Sequence, residues 1–432
     1  MLQYPNIRYL VAPVLILILL FIFRDSSWAP PGLGRPHSNA LSYNSYLSIQ
    51  DTHHEIFSVS TRDKKFFQID FGDQKGINPN IIPHPVFNDT WIVVAQLHKK
   101  LEVPNSVWFA ELTCNAVFKN GVLSCLRSPA ILPIAATEGD KCNDHFGMSV
   151  GPHDARVFHG PKAPYAIYGS VSQYTCFGQW IQDFRLLVDW GFEMFERGKF
   201  RHATEIQRPA PYGVVEKNYF LFWDKDDKIY AHYDIWPKRV FSKLENDGSI
   251  GLNLAPAATS DERCLAMYMP EVAPPPTQES IHQATNSLSI TLCKRSDPSC
   301  KANDSNTFLF TMFQHKVFKK LHSVYEPYVM VFKQQAPFEI HGISSRPIWI
   351  HGRGLPGQGM RPEFISDAEF KVWDQTEMFY ITSISWKTQG MRYHGYIDDV
   401  LFVGFGIEDR DTGGIDVLAG DLLGDLALCN TT

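Results

Sequence analysis

An Asp-x-Arg step follows a Gly-Pro turn in the segment Gly151–Phe158, which has the sequence GPHDARVF. Asp154 and Arg156 are two residues apart, so they lie on the same side of an extended chain. The arginine would keep the carboxylate ionised, and both side chains could face a sugar or a phosphate. An ordinary structural Asp–Arg pair is the competing interpretation. The spacing nominates Asp154 for acid–base chemistry and Arg156 as an anion-binding neighbour.

Three other polar clusters stand at or near the ends of apolar, strand-like runs. A lysine at the rim of such a strand attracts anions such as phosphate, although solvation of a strand end explains it as well. Clusters of histidine, aromatic and carboxylate groups suit a sugar ligand in the same way. The clusters are Glu216-Lys217-Asn218 with the following Tyr230–Tyr233 run, which contains His232; Tyr393–Asp399, which contains His394, with Phe405–Arg410, which contains Asp409; and Phe338–Gly342 with Ser344–Pro347.

The elements that must position these residues are short strands. Many short strands bounded by turn residues indicate a sandwich, a barrel or a propeller, and clear amphipathic helices are scarce. In a propeller the innermost strands line one central funnel, so polar residues at strand starts would converge there. The runs are Trp91–Gln96, Ser106–Leu112, Ala163–Val171, Tyr219–Trp223, Lys228–Tyr233, Tyr328–Phe332, Pro347–Ile350, Met378–Trp386 and Leu401–Ile407.

Composition and missing motifs exclude several function classes. The 432-residue chain has a formal net charge of −6 and lacks basic blocks, which argues against a nucleic-acid partner. It has no Walker A loop, G-x-G-x-x-G, H-E-x-x-H or G-x-S-x-G motif. Asp224-Lys225-Asp226-Asp227 matches the Asp-x-Asp of metal-dependent sugar transferases formally, but its position between two strand-like runs predicts a solvated hairpin loop. We expect neither a metal nor a cofactor.

Two stretches interrupt the strand pattern. Residues 254–278, which contain three consecutive prolines, predict an insertion or a long loop. Residues 414–428 predict a short helix near their end. No strong linker follows residue 43, so one domain is expected from there to residue 432.

The N-terminal region predicts a membrane anchor. Tyr9–Phe23 is apolar and uncharged, and Arg8 and Arg24 flank it. A cleaved signal peptide is the alternative, but the best small-residue site, Ser27-Trp28-Ala29, is followed by two prolines. We therefore expect a cytoplasmic tail at 1–8, a signal-anchor transmembrane helix at 9–24, a stem at 25–42 and a lumenal domain at 43–432. This topology predicts a single-pass type II protein of the Golgi or another secretory-pathway membrane.

Cysteine usage agrees with a lumenal domain. The eight cysteines lack C-x-x-C spacing, which favours disulfides over zinc. Cys114 and Cys125 flank a hairpin signal, and Cys293 and Cys300 flank a short turn, so we predict these two pairs. Three N-x-S/T sequons begin at Asn88, Asn303 and Asn430.

Taken together, these motifs resemble the mannoside phosphorylases and related mannosyltransferases. The matching runs, in the family's order, are Asn78-Pro79, Gly151–Arg156, Lys217-Asn218 and Phe405–Asp409. Over residues 43–429 the chain resembles more closely the fungal β-1,2-mannosyltransferases of the cell wall. The runs that carry this closer resemblance are Asn78-Pro79-Asn80, Ile82–Pro85, Glu216-Lys217-Asn218 and His394-Gly395-Tyr396.

The resemblance implies an all-β, five-bladed β-propeller and a type II membrane glycosyltransferase of cell-wall glycan biosynthesis. Mannose would pass from a nucleotide sugar, expected to be GDP-mannose, to a mannoside acceptor in β-linkage. Asp154 matches the catalytic Asp of the motif, and His153 departs from it because the motif usually has Glu there. The other residues expected to hold substrate or phosphate are Arg156, Lys217, Asn218, His232, Asn78, His394 and Asp409.

Two alternatives remain at this level. A phosphorylase or glycosidase on the same fold is one, and a hydrolase would pair Asp154 with Glu216, Glu339 or Asp399. A non-catalytic glycan-binding propeller is the other, and it would keep the aromatic residues without needing the Asp/Arg/Lys set.

Overall fold

Many of the described strands are buried on both faces, which is why they appear in the sequence as unbroken apolar runs. All eight residues of Pro164–Val171 are buried, and so are seven of the eight in Val400–Ile407. The computed structural model describes residues 49–98, 101–103, 106–142, 149–191, 198–275, 277–319, 322–361 and 373–429. All of them belong to one compact unit, Asn44–Thr432.

The strands are short and follow one another along the chain. In order they are β1 His54–Ile56, β2 Phe67–Asp70, β3 Gly76–Pro83, β4 Trp91–Leu97, β5 Leu101–Val103, β6 Ser106–Trp108, β7 Glu111–Lys119, β8 Val122–Cys125, β9 Ala130–Ile131, β10 Ser149–Val150, β11 His153–His159, β12 Pro164–Val171, β13 Phe177–Asp183, β14 Thr204–Glu205, β15 Phe220–Trp223, β16 Ile229–Asp234, β17 Val240–Lys243, β18 Gln278–Gln283, β19 Leu288–Thr291, β20 Thr307–Lys319, β21 His322–Lys333, β22 Ile340–Ser344, β23 Ile348–Ile350, β24 Phe379–Trp386, β25 His394–Tyr396, β26 Val400–Ile407, β27 Asp411–Leu418 and β28 Leu426–Leu428.

Helices are minor elements of the described residues. An eight-residue helix, α1, spans Asp261–Tyr268, and a four-residue helix, α2, spans Ala419–Leu422. Two 3₁₀ turns occupy Phe184–Leu186 and Ala255–Ala257.

The described strands pair into six sheets, the largest of which have nine and seven strands. Within them, five antiparallel groups of three or four strands follow in chain order, and we call these groups the first to fifth sheets. The first is β3-β4-β7-β8, the second β11-β12-β13-β14 and the third β15-β16-β17. The fourth is β19-β20-β21-β22, with β18 also paired to β20, and the fifth is β24-β26-β27-β2. The fifth sheet therefore takes its outer strand from near the start of the described chain, and β2 also pairs in parallel with β8 of the first sheet.

Hydrogen bonds link each sheet to the next and the fifth back to the first. The five sheets therefore form a closed ring in chain order, with β3, β11, β15, β18–β19 and β24 as inner strands. The links are Asn80 Nδ2 to Ala155 O, Arg156 Nη2 to Asn218 Oδ1, Ser287 Oγ to Leu221 O, Asn286 Nδ2 to Ile384 O, and Thr382 Oγ1 to Pro79 O.

The all-β prediction is confirmed, and each of the nine predicted runs contains at least one strand. The run Ser106–Leu112 is broken, because β6 and β7 are separate strands that belong to different sheets. The prediction of a loop at 254–278 was wrong in part, since α1 lies inside it. The Asp224–Asp227 run does form the β15–β16 hairpin loop, but Asp224 is buried and accepts hydrogen bonds from Asp226 N and Lys228 N.

Residues 9–24, for which a membrane span is predicted, lie outside the described residues, as do the predicted tail and stem. Within the described residues no helix has the length and apolar character of a membrane span. Asn88 and Asn303 of the first two sequons are exposed, and Asn430 lies outside the described residues.

All eight cysteines form disulfides. Both predicted pairs, Cys114–Cys125 and Cys293–Cys300, are present. Two further bonds join Cys142 to Cys176 and Cys264 to Cys429. The last pair ties α1 to the segment that follows β28, across 165 residues of sequence.

Candidate functional site

Left-handed backbone marks the starts of the inner strands. Asn78 has φ 57°, Asp154 has φ 48° and Asn218, just before β15, has φ 64°. The strand register shifts around Asn78 on β3 and around Asp154 on β11, as in a β-bulge. Left-handed residues other than glycine cost about 1–3 kcal/mol each and collect at functional sites. Three such residues at one end of the ring therefore single out that end.

Asp154 is exposed there and is held by the first sheet. Its Oδ1 accepts a hydrogen bond from Asn78 Nδ2 at 2.7 Å, and its backbone N–H donates to Gln96 Oε1 at 2.9 Å. Asp154 and Arg156 form no ion pair in the described structure, so the structural-pair interpretation of their spacing does not hold. The carboxylate is fixed by a neutral amide and remains open to solvent.

Arg156 is buried beneath this opening, with 5% of its surface exposed. Its Nη2 donates to Asn218 Oδ1 at 2.9 Å, which joins the second sheet to the start of the third. The phenol of Tyr380, on β24, lies close to Arg156: burial raises the phenol pKa, and the charge of Arg156 opposes that rise. The guanidinium therefore lies between three sheets and has only neutral partners.

Two lysines and a histidine lie close to Arg156. Burial lowers the pKa of Lys316, on β20, and the charge of Lys217 lowers it further. Burial lowers the pKa of His282, on β18, to about 4, and Lys316, Lys217 and Arg156 all contribute to this shift. The histidine is therefore neutral at pH 7 and surrounded by positive charge.

A second carboxyl group, that of Asp409, faces the same region from the β26–β27 turn. Its φ is 49°. Burial raises its pKa, and the neighbouring Asp154 and Glu408 raise it further, whereas Lys316 opposes the shift. Asp409 is therefore protonated more readily than an ordinary aspartate. The exposed carboxylate of Asp154 lies close enough to contribute to this shift.

Six of the eight sequence-predicted site residues come together in this way. They are Asn78, Asp154, Arg156, Lys217, Asn218 and Asp409.

His232, predicted to join the phosphate-binding cations, lies elsewhere. It is completely buried inside the third sheet, where its Nδ1 bonds to Gln283 and its Nε2 accepts from Arg239 Nε at 3.2 Å. Burial lowers its pKa well below the usual value. His232 does not line the opening because it lies on β16, one strand outward from the inner strand β15.

His394 is also separated from the cluster. Its strand β25 pairs with the end of β19, and its Nε2 lies 2.8 Å from Thr291 Oγ1. It lines a cavity of about 580 Å³ together with Asp224, Ser289, Arg295, Gln334 and Tyr393. Of these residues, Asp224 directly follows β15 and Arg295 lies beyond the end of β19, whereas Asp154 lies at the start of β11, so the cavity is at the opposite end of the ring.

The carboxylates suggested as hydrolytic partners of Asp154 are all engaged with other cations. Glu216 pairs with Arg208, Glu339 with Lys333 and Asp399 with Arg295. None of the three contacts Asp154, and Asp409 takes the position that one of them was expected to fill.

Sequence reasoning missed His282, Lys316 and Tyr380. Tyr380 could have been found from the sequence as a polar residue near a strand start, because it is the second residue of β24. His282 and Lys316 could not, since no strand-like run was predicted over β18 or β20. Lys316 lies in the middle of a strand and is carried to the site by the pairing of β18 with β20.

Within the described ranges, no group of three or more His, Cys, Asp or Glu side chains is arranged to hold a metal ion.

Comparison with known proteins gives structural likeness without a family. No protein-family model and no curated protein sequence matches the chain. Among solved structures, a β-1,2-mannobiose phosphorylase from Listeria innocua in complex with β-1,2-mannobiose is 10% identical, with a TM-score of 0.42, over 86% of this chain and 96% of that one. An α-L-arabinofuranosidase from Lactobacillus brevis is 10% identical, with a TM-score of 0.39, over 79% and 90%. These values assign neither a family nor an activity, so function is argued from this chain's own residues.

Proposed function

We propose that this chain is a glycosyl-transferring enzyme whose five sheets are the blades of a five-bladed β-propeller. Asp154 serves as the acid–base residue, and Arg156, Lys217 and Lys316 bind the phosphate end of a glycosyl donor. His282 stands among these cations in place of the His232 expected from the sequence.

One observation carries the proposal: the cations at this end of the ring lack carboxylate partners. Four arginines are buried in the described structure, and three of them, Arg185, Arg239 and Arg353, pair with Asp or Glu. Arg156 does not, and neither Lys217 nor Lys316 forms an ion pair within the described residues. The buried charge of Arg156 is costly without an ion-pair partner, and a phosphate group would supply a counter-charge to it and to the two lysines.

The chemistry follows from this arrangement. The acceptor hydroxyl oxygen forms a bond to the anomeric carbon, and the bond from that carbon to the phosphate oxygen breaks. Asp154 takes the hydroxyl proton as general base. Arg156, Lys217 and Lys316 offset the charge that develops on the leaving phosphate. Attack from the face opposite an α-linked phosphate gives a β-linked product.

The finer assignment rests on the motifs and the compartment. The resemblance to fungal β-1,2-mannosyltransferases points to GDP-mannose as donor and a mannoside as acceptor. Four disulfides are typical of secreted or lumenal proteins. They support a lumenal catalytic domain anchored by residues 9–24 in a Golgi or other secretory-pathway membrane.

Purified full-length protein in detergent provides the test. It is incubated with GDP-mannose and methyl α-mannoside, and the products are identified by mass spectrometry, with Asp154→Asn as the control. We expect a mannosylated acceptor and GDP, with a rate that EDTA leaves unchanged. Binding of mannosides without any turnover would favour the glycan-binding alternative, and strong inhibition by EDTA would favour a metal-dependent reaction.

A phosphorylase or hydrolase is the second candidate, and Asp409 favours it. A carboxyl with a raised pKa beside a second carboxyl group is the pattern of many glycosidases. The discriminating assay supplies β-1,2-mannobiose with and without inorganic phosphate. Mannose 1-phosphate would identify a phosphorylase, and free mannose without phosphate would identify a hydrolase.

A further inference from the structure

The bulge at the start of β11 leaves two backbone N–H groups outside the strand ladder. His153 is opposite Gly169 on β12, but the next paired residue is Arg156, opposite Ile167. Asp154 and Ala155 therefore need hydrogen-bond acceptors from elsewhere, because buried N–H groups are rarely left unpaired.

The first sheet supplies both acceptors from directly opposed positions. Gln96 on β4 faces Glu111 on β7 in the antiparallel register. Asp154 N donates to Gln96 Oε1 at 2.9 Å, and Ala155 N donates to Glu111 Oε1 at 3.0 Å. Two consecutive peptide groups of the second sheet are thus held by one cross-strand pair of the first.

Glu111 has an unusual environment for an acid. It is completely buried, and its Oε2 has no hydrogen-bond partner among the described residues. Burial raises its pKa well above the usual value, the bond from Ala155 N opposes this rise, and the charge of Asp154 adds to it. A protonated Glu111 still accepts at Oε1, and it places no second negative charge beside Asp154.

We propose that Gln96 and Glu111 are positioning residues that hold the Asp154–Ala155 peptide in its bulged conformation and thereby aim the Asp154 carboxylate at the substrate. This inference rests on the proposed function, in which Asp154 is the acid–base residue. Asn78 fixes one carboxylate oxygen, and the Gln96–Glu111 pair fixes the backbone that carries it.

The first test compares two substitutions of similar size. Glu111→Gln keeps a carbonyl acceptor for Ala155 N, whereas Glu111→Met removes it. A misplacement of about 1 Å can lower turnover about 10²-fold. We expect that loss in kcat for Glu111→Met, with KM for GDP-mannose within about twofold because the cations are untouched. Glu111→Gln should stay within about threefold of wild type.

A double-variant cycle separates positioning from general damage. If Glu111 acts through Asp154, Glu111→Met should lower the residual rate of Asp154→Asn no further. A further large loss in that background, or wild-type kcat for Glu111→Met alone, overturns the proposal. The same rates are measured with β-1,2-mannobiose and inorganic phosphate, so the test holds for transfer and for phosphorolysis.

Hydrogen–deuterium exchange gives a reading that does not depend on activity. The amides of Asp154 and Ala155 should exchange at least tenfold faster in Glu111→Met than in wild type, while those of Phe220–Trp223 stay unchanged. Gln96→Met supplies the same test at Asp154 if Glu111→Met fails to fold. Unchanged exchange at these amides overturns the positioning role, whereas a fully active Asp154→Asn overturns the proposed function, so the two failures are distinguishable.

Discussion

Two clusters of charged and polar residues in this chain use the same residue types in opposite ways. In the third-sheet cluster, Arg239 pairs with Asp261 at 2.5 Å and donates to Phe338 O, and His232 stacks between Phe220 and Phe241. In the second cluster, at the strand starts, Arg156, Lys217 and Lys316 have no carboxylate partner in the described structure.

The difference teaches how to separate a structural charge from a functional one. Where the fold supplies the counter-charge, as Asp261 does for Arg239, the ion pair is complete and a ligand has nothing to add. Where the counter-charge is absent, folding leaves an unfavourable positive potential that an anionic ligand removes on binding. Substitution of the unpaired cations should therefore lower activity, whereas substitution in the Arg239–Asp261 pair should lower stability.

The largest effect is expected for Asp154→Asn. The amide keeps the size and most hydrogen bonds but cannot accept a proton at neutral pH, and acid–base groups contribute about 10²–10⁴-fold. Turnover should fall by that factor while GDP-mannose still binds, as measured by initial rates and titration calorimetry. Near-normal transfer would remove Asp154 from the mechanism.

Asp261→Ala should have the largest effect on stability. Removing one partner of a buried ion pair leaves an uncompensated charge, which costs about 3–5 kcal/mol. The free energy of unfolding, measured by chemical denaturation, should fall by this amount, with Lys217→Ala as the control that leaves it unchanged. Equal stability losses in the two variants would erase the distinction between the clusters.

Lys217→Ala should weaken donor binding and turnover together, because its charge acts on both the bound donor and the transition state. Hydrogen bonds to charged groups contribute about 1.5–3 kcal/mol, so we expect roughly a 10- to 100-fold loss in kcat/KM. Lys225→Ala is the matched control, since Lys225 is an exposed lysine at the opposite end of the ring, paired with Asp304 at 3.2 Å. Similar losses in both variants would contradict a local phosphate site.

The smallest effect concerns His282 and pH. Its folded pKa of about 4 lies below the usual histidine pKa of 6.5, so the unfolded chain binds a proton between these values that the native protein does not. Stability should therefore fall as pH drops from 6.5 to 4, with no further contribution below that range. His282→Gln should lose less stability than wild type between pH 7 and 4.5. An identical loss in both proteins would show that His282 is not held neutral.

The strands and part of the site could be predicted from the sequence because both depend on the local pattern of apolar and polar residues. Unbroken apolar runs mark strands covered on both faces, and polar residues at the starts of β11 and β15 follow from the same pattern. Asp154 and Lys217 were found in this way, whereas Asn78 was nominated only by the family resemblance.

The errors concern residues whose position depends on pairing across the chain. His232 lies within the predicted run Lys228–Tyr233, but β16 is the second strand of its sheet, and Phe220 and Phe241 stack on the His232 ring. Lys316 is brought to the opening by a long hairpin, which no local pattern predicts. A polar residue in a strand can therefore be assigned to a site only when the order of strands within the sheet is known.

The fifth sheet combines an early strand, β2, with the late strands β24, β26 and β27, and this has a consequence for biosynthesis. β2 is made early, yet its antiparallel partner β27 is among the last strands to leave the ribosome. Until then β2 has an unpaired edge on that side, and such edges invite pairing with other chains. The ring can close only after translation of residue 418, so a chaperone that shields β2 during synthesis would raise the yield of correctly folded protein.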